Sequence, residues 1–146
     1  VSDMNSPPFR DRFDLILLDA PCSSSGTIRK SPDLKLKMDP ARIAKNSQIQ
    51  SSILRQLIRN HPSASILYTV CSFIPEEGEK ILDPIIGASE STRIDSVDLG
   101  PLLSEYRFRF KRGKHGFFLL PDPVLNNDLF YMALLSRESS SSLLTI

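Results

Sequence analysis

Phe13-Asp14-Leu15-Ile16-Leu17-Leu18-Asp19-Ala20-Pro21-Cys22 and Ser65-Ile66-Leu67-Tyr68-Thr69-Val70-Cys71-Ser72 are two stretches in which a largely apolar run leads straight into a cysteine. Runs of this kind, without polar alternation, suit strands buried on both faces, as in parallel sheets. Ligands of such sheets bind in the crevice outside the carboxyl ends of the strands. The chain has only these two cysteines, so the reading brings both thiols to one site.

Between the two runs lies the connection that a parallel pair requires. Ala20 to Pro32 carries Pro21, a serine run, Gly26 and Pro32, which is loop chemistry. Asp39-Pro40 then reads as an N-cap followed by proline at the first helical position. Ile43, Ile49, Ile53, Leu54, Leu57 and Ile58 recur at helical spacing until Asn60-His61-Pro62 stops them. Beyond Cys71, Pro75-Glu76-Glu77 opens a second expected helix with acids in its first turn, and Ile81, Leu82, Ile85 and Ile86 form its core face up to Gly87. Ile94 to Val97 is expected as a short strand, Phe108 to Leu120 as a hairpin around Arg112-Gly113-Lys114, and Leu129 to Leu135 as a last apolar strand. This order predicts an α/β chain, the second half of a doubly wound sheet. Gly26, Gly78 and Gly113 each stand alone, so no phosphate-cradling Gly-rich turn is present.

At 146 residues and 40% hydrophobic content the chain has the size of one domain. No apolar run approaches the roughly 18 residues of a membrane span, so no membrane partner is expected. The start Val1-Ser2-Asp3-Met4 lacks the basic and apolar regions of a signal peptide, and two cysteines are too few for a secreted disulfide framework. The expectation is an intracellular, cytoplasmic protein with free thiols, nuclear or nucleolar if eukaryotic. A net charge of +1 does not advertise nucleic acid as a partner, but Arg107, Arg109, Lys111, Arg112 and Lys114 place five cations in eight residues. Such a cluster fits a solvated edge strand as well as a phosphate-binding patch. His61 and His115, at spacings unrelated to the cysteines, point to turns and surface rather than to a metal site.

The run from Phe13 to Gly26, with Arg29-Lys30-Ser31-Pro32-Asp33 behind it, resembles the aspartate-alanine-proline-cysteine motif of the RNA cytosine-C5 methyltransferases, the Nol1/Nop2/Sun and Fmu family. Tyr68-Thr69-Val70-Cys71-Ser72 with Pro75-Glu76-Glu77-Gly78-Glu79 is similar to that family's second cysteine motif. Gly116 to Asp122 followed by Asp128 to Leu134 resembles its closing hairpin. The chain departs from the family pattern at Ser24, Val70, Gly78 and Leu129, none of which removes a reacting group.

The resemblance implies a Rossmann-like, S-adenosylmethionine-dependent fold, with residues 1–138 as the C-terminal portion of the catalytic domain and 139–146 as a disordered tail. The family's Gly-rich donor loop has no counterpart before Val1, so the S-adenosylmethionine site is expected to be incomplete here and completed by a missing N-terminal half. The implied reaction is methylation of cytosine C5 in tRNA or rRNA. Cys71 is the implied nucleophile at C6, Cys22 the thiol that helps release the methylated base, and Asp19 the carboxyl that binds the cytosine N3 edge beside the methyl donor. A lowered Cys71 pKa, helped by the helix opening at Pro75, would suit that role. Pro21, Ser23, Arg29 and Lys30 are the expected substrate contacts. Two other classes stay open. One is a noncatalytic RNA-binding or assembly subunit that keeps the fold. The other is a cysteine hydrolase, which needs a base that neither histidine is placed in sequence to supply.

Overall fold

A computed structural model describes residues 12–87 and 93–137. The elements follow the chain as β1 (Leu15–Asp19), two short 3-10 turns (Ser25–Thr27 and Pro32–Leu36), α1 (Pro40–Asn60), β2 (Ser65–Val70), a 3-10 turn (Pro75–Glu77) and α2 (Glu79–Leu82). After these come β3 (Asp95–Val97), α3 (Gly100–Glu105), β4 (Phe110–Arg112), β5 (Phe117–Leu119) and β6 (Phe130–Ser136). They build one sheet in the order β1-β2-β6-β5-β4. β1 and β2 are parallel, with Leu17 opposite Leu67, and all other pairings are antiparallel. β6 is the central strand: β2 lies along one edge, while β5 and then β3 share the other.

Helix α1 starts and stops where its caps dictate. The Asp39 carboxylate accepts the Ala41 N–H at 2.9 Å, Pro40 occupies the first turn, and the His61 N–H closes the last turn on the Leu57 carbonyl. Ile53 and Leu54 enter the core, whereas Ile49, counted on the apolar face from spacing, is 38% exposed. Gln50 takes the buried place instead and its amide is used for a contact described below.

Side-chain alternation along β2 and β6 sorts the interior into two layers. Ile66, Tyr68, Val70, Tyr131, Ala133 and Leu135 face α1 and α2, joined by Leu54, Ile81, Leu82 and Ile85. Leu134, with Leu67, Phe130 and Met132, faces the other way and packs with Leu99 and Leu103 of the α3 region and with Phe117 and Leu119.

Three expectations from sequence are corrected. β1 is not buried on both faces: Leu15 and Leu17 are 56% and 65% exposed. Both lie on the α3 side of the sheet, as their pairing beside Ser65 and Leu67 requires, and α3 covers β5 and β6 rather than β1. Second, the helix expected from Pro75 is broken into a 3-10 turn, the four-residue α2 and further turns through Gly87. The break falls at Gly78, which lies against the Tyr131 ring, where even a Cβ would come within 3.2 Å of the ring carbons. Third, α3 is an element the sequence reading omitted. Its signal was Asp98 two residues before Gly100-Pro101, and the Asp98 carboxylate does accept the Gly100 N–H at 2.8 Å. The expected tail at 139–146 lies outside the described residues.

Candidate active site

The two motif loops leave the carboxyl ends of β1 and β2 side by side, because those strands are parallel and adjacent. The Ala20 N–H continues the ladder onto the Thr69 carbonyl at 3.0 Å, and from there the chains diverge around the site. Cys22 and Cys71 meet with their sulfurs 3.3 Å apart, both half-buried. The Ser24 hydroxyl is 3.6 Å from the Cys71 sulfur, on a residue held in the left-handed region at φ 59°. Asp19, at the end of β1, is exposed, and its carboxylate accepts a long 3.5 Å hydrogen bond from the Thr69 hydroxyl.

The loops are fastened to one another rather than to solvent. Gly26 N–H donates to the Cys71 carbonyl at 3.0 Å, and the Ser25 and Ser72 hydroxyls are 2.9 Å apart. Phe73 N–H donates to the Ser25 hydroxyl and Ile74 N–H to that of Ser72, both at 3.1 Å. From α1, the Gln50 amide donates to the Pro21 carbonyl at 2.6 Å. Ser23 is buried, its N–H and hydroxyl both donated to the Glu77 carboxylate at 2.8 and 2.6 Å. Its hydrogen bonds are therefore spent inside the protein. Pro21 is exposed at the rim.

The two thiols share their electrostatics unequally. Cys71 is lowered from the ordinary 9.0 to about 6, first by the hydrogen bond from Cys22 and then by that from Ser24, against the opposing effects of burial and the Asp19 charge. Cys22 moves the other way, raised by its hydrogen bond to Cys71 and by burial. The contact between the sulfurs thus favours the Cys71 thiolate and disfavours ionisation of Cys22. The direction agrees with the sequence expectation, but the cause is a neighbouring thiol and hydroxyl rather than the end of a long helix. Alkylation of Cys71 by iodoacetamide in this chain is expected to reach half its plateau rate near pH 6, because the thiolate is the reactive form. The same thiol in urea-unfolded chain is expected to need pH near 9.0, and equal midpoints in the two states would refute the acidification.

Arg29 and Lys30 stand about half exposed on the loop beyond Gly26, tied to Asp128 at 3.4 and 2.7 Å. Lys30 first, and Arg29 after it, hold the Asp128 carboxyl below its usual range. In the expected cationic cluster, Arg112 is paired with Asp98 and lies over the Phe117 ring, and Lys114 is paired with Asp83. Neither histidine serves the cysteines. His115 Nε2 is 2.8 Å from Asp83, and His61 is buried, edge-on to Phe13, near Ala64 and Ile66 at the opposite end of β2. Gln50 and Glu77 are site residues that the sequence reading missed. Nothing in the Pro75-Glu76-Glu77 run distinguishes the half-exposed Glu76, paired with Lys80 at 2.6 Å, from the fully buried Glu77.

Comparison with known proteins places this arrangement. A family described as "16S rRNA methyltransferase RsmB/F" matches residues 1–136. A probable ribosomal RNA small subunit methyltransferase B of Coxiella burnetii is 34% identical over 139 residues, which cover 94% of this chain and 30% of that protein. Among solved structures, the crystal structure of PH0851 is similar at a TM-score of 0.66 and 31% identity, over 84% of this chain and 26% of that one. A methyltransferase homologue from Pyrococcus horikoshii shares the fold at a TM-score of 0.60 and 22% identity, over 86% of this chain and 39% of its own. The chain thus spans less than a third of the length of the Coxiella relative.

Proposed function

The chain belongs to the RsmB/F family of 16S rRNA methyltransferases, and on that premise we propose that it forms the thiol-bearing part of an enzyme that methylates C5 of a cytosine in rRNA. The carrying observation is the pair of sulfurs 3.3 Å apart at the carboxyl ends of adjacent parallel strands, with an exposed carboxylate beside the acidic one. C5 of cytosine is a poor nucleophile. Addition of the Cys71 thiolate to C6 makes C5 an enamine carbon, so that one difficult step becomes two easier ones. The base has to leave its stack to expose C6, which suits a loop or other single-stranded stretch of RNA.

Within this reading Asp19 faces the N3 edge of the ring, where a proton offsets the charge created by thiolate addition. Its carboxylate fits that place: it is exposed, and its bond from Thr69 is long enough to be exchanged. When bound beside it, S-adenosylmethionine supplies an electrophilic methyl group. After methyl transfer the C5 proton passes to solvent as the C6–Cys71 bond breaks, and Cys22, as the thiol beside it, assists by hydrogen bonding to the departing Cys71 thiolate. Pro21 shapes the rim of the base pocket, and Arg29 and Lys30, half exposed, contact phosphates, with Asp128 fixing their position. Ser23 contributes to substrate binding indirectly, by holding the loop. Leu15 and Leu17 are exposed, and the outer edge of β1 carries no partner strand among the described residues.

The test is methyl transfer by the full-length protein to 16S rRNA with labelled S-adenosylmethionine, followed by nucleoside mass spectrometry. 5-Methylcytidine is the expected product. Label at any other atom, or an RNA-binding protein that transfers none, would overturn the proposal.

A further inference from the structure

The two thiols are the only cysteines of the chain, so within it neither has another sulfur to react with. Their sulfurs lie 3.3 Å apart, which leaves about 1.3 Å to close before they reach disulfide bonding distance. The approach is held from both sides. Gly26 N–H donates to the Cys71 carbonyl at 3.0 Å, and the Ser25 and Ser72 hydroxyls are 2.9 Å apart. The Gln50 amide fixes the Pro21 carbonyl, next to Cys22, at 2.6 Å. The thiols therefore meet at a high effective concentration without either loop having to travel. Both are half-buried rather than sealed, which leaves them open to a reagent as small as a hydroperoxide.

A thiolate with a second thiol against it is the arrangement in which oxidation ends in a disulfide instead of running on to sulfinic acid. The Cys71 thiolate attacks one oxygen of the hydroperoxide. The O–O bond breaks, the other oxygen leaves as water or an alcohol after taking a proton from solvent, and Cys71 becomes a sulfenic acid. Its charge is then gone, and with it the hydrogen bond that does most to keep Cys22 from ionising. The Cys22 sulfur attacks that of Cys71, the S–O bond breaks, and hydroxide leaves as water with the Cys22 proton. Two electrons pass from the two sulfurs to the peroxide. We propose that Cys22 and Cys71 form a reversible oxidation site, at which a hydroperoxide closes an intramolecular disulfide that withdraws the nucleophile and a dithiol reductant restores it. The thiol chemistry stands on the apposed sulfurs alone, and only its effect on methyl transfer rests on the reading of Cys71 as the nucleophile.

The test reads the thiols directly and needs no methylation, so its failure is separate from failure of the proposed reaction. The chain is treated with hydrogen peroxide at neutral pH, folded or unfolded in urea. Remaining thiols are capped with iodoacetamide, and the chain is digested without reductant for peptide mass spectrometry. The folded chain is expected to yield a Cys22–Cys71 cross-linked peptide, lighter by two hydrogen atoms than its parts, about tenfold or more faster than the chain in urea. Dithiothreitol is expected to return both cysteines to alkylation. In Cys22→Ser, which has no second thiol, the same peroxide is expected to carry Cys71 to the sulfinic acid, a loss of alkylation that dithiothreitol does not reverse. Sulfinic acid as the main product in the folded parent, or cross-links between chains only, would overturn the proposal. A cross-link that forms no faster in the folded chain than in urea would do the same, because the fold would then contribute nothing. The parent chain decides these points even if Cys22→Ser does not fold. In the full-length protein, formation of the cross-link is expected to abolish methyl transfer until dithiothreitol is added. Transfer that continues at full rate in the cross-linked protein would refute Cys71 as the nucleophile and with it the switch.

Discussion

Cys71→Ala in the full-length protein is expected to lower methyl transfer to rRNA by on the order of 10⁴-fold or more, since loss of a covalent nucleophile removes the route rather than one contact along it. Cys22→Ala is expected to behave differently, leaving addition possible but release slow, so that a covalent protein–RNA adduct accumulates and survives denaturing electrophoresis. The geometry adds a second consequence. Cys22 donates the hydrogen bond that contributes most to the low pKa of Cys71. Its removal should move the Cys71 alkylation midpoint up from about 6 toward 9.0. Adduct formation in Cys22→Ala should therefore be slower at neutral pH than in the parent and recover as pH is raised. Turnover by Cys71→Ala would place the nucleophile elsewhere, and absence of an adduct in Cys22→Ala at every pH would remove its assigned part in release.

Gly26→Ala is expected to be the most damaging single methyl group that can be added to the loop. A Cβ on Gly26 would lie 2.2 Å from the Leu129 carbonyl oxygen and 3.1 Å from that of Cys71. Both obstacles are main chain, and both flank residues that Gly26 itself bonds. Its N–H donates to Cys71 at 3.0 Å and its carbonyl accepts from Leu129 at 3.3 Å. The loop cannot move away from one side without breaking the other. A loss of about 3 kcal/mol is expected, as for overpacking against groups that cannot relax, read as a lower urea midpoint. The Cys71 alkylation midpoint should rise in parallel, because the same displacement separates the sulfurs. A variant with parent-like stability and thiol reactivity would show that the loop has slack the packing does not reveal.

These expectations differ in how much of their basis is legible in the sequence. The bounds of β2 and α1 follow from local chemistry: an apolar run of strand length between breakers, and a capped helix stopped by His61-Pro62. The parallel pairing of β1 with β2 follows too, because a long helical connection returns the chain in the same direction. The exposure of Leu15 and Leu17 is not legible there. An apolar run reports what a strand is suited to bury, not what covers it, and on the α3 side β1 is left uncovered by the described residues. Likewise the break at Gly78 depends on the Tyr131 ring, which arrives from a strand more than fifty positions away.

By itself, then, the order of residues determined that two cysteines lie at the same end of one parallel strand pair, because strand direction and loop position are consequences of local periodicity and punctuation. Only the tertiary structure decided that the sulfurs lie 3.3 Å apart, that this contact lowers the pKa of Cys71, and that Glu77 is sealed beneath the loop while Glu76 stays partly in water. The physical reason is that separation, burial and field at an atom are set by whatever packs around it. Here those neighbours come from β1, β2, α1 and the turn before α2, groups that no short window of sequence holds together.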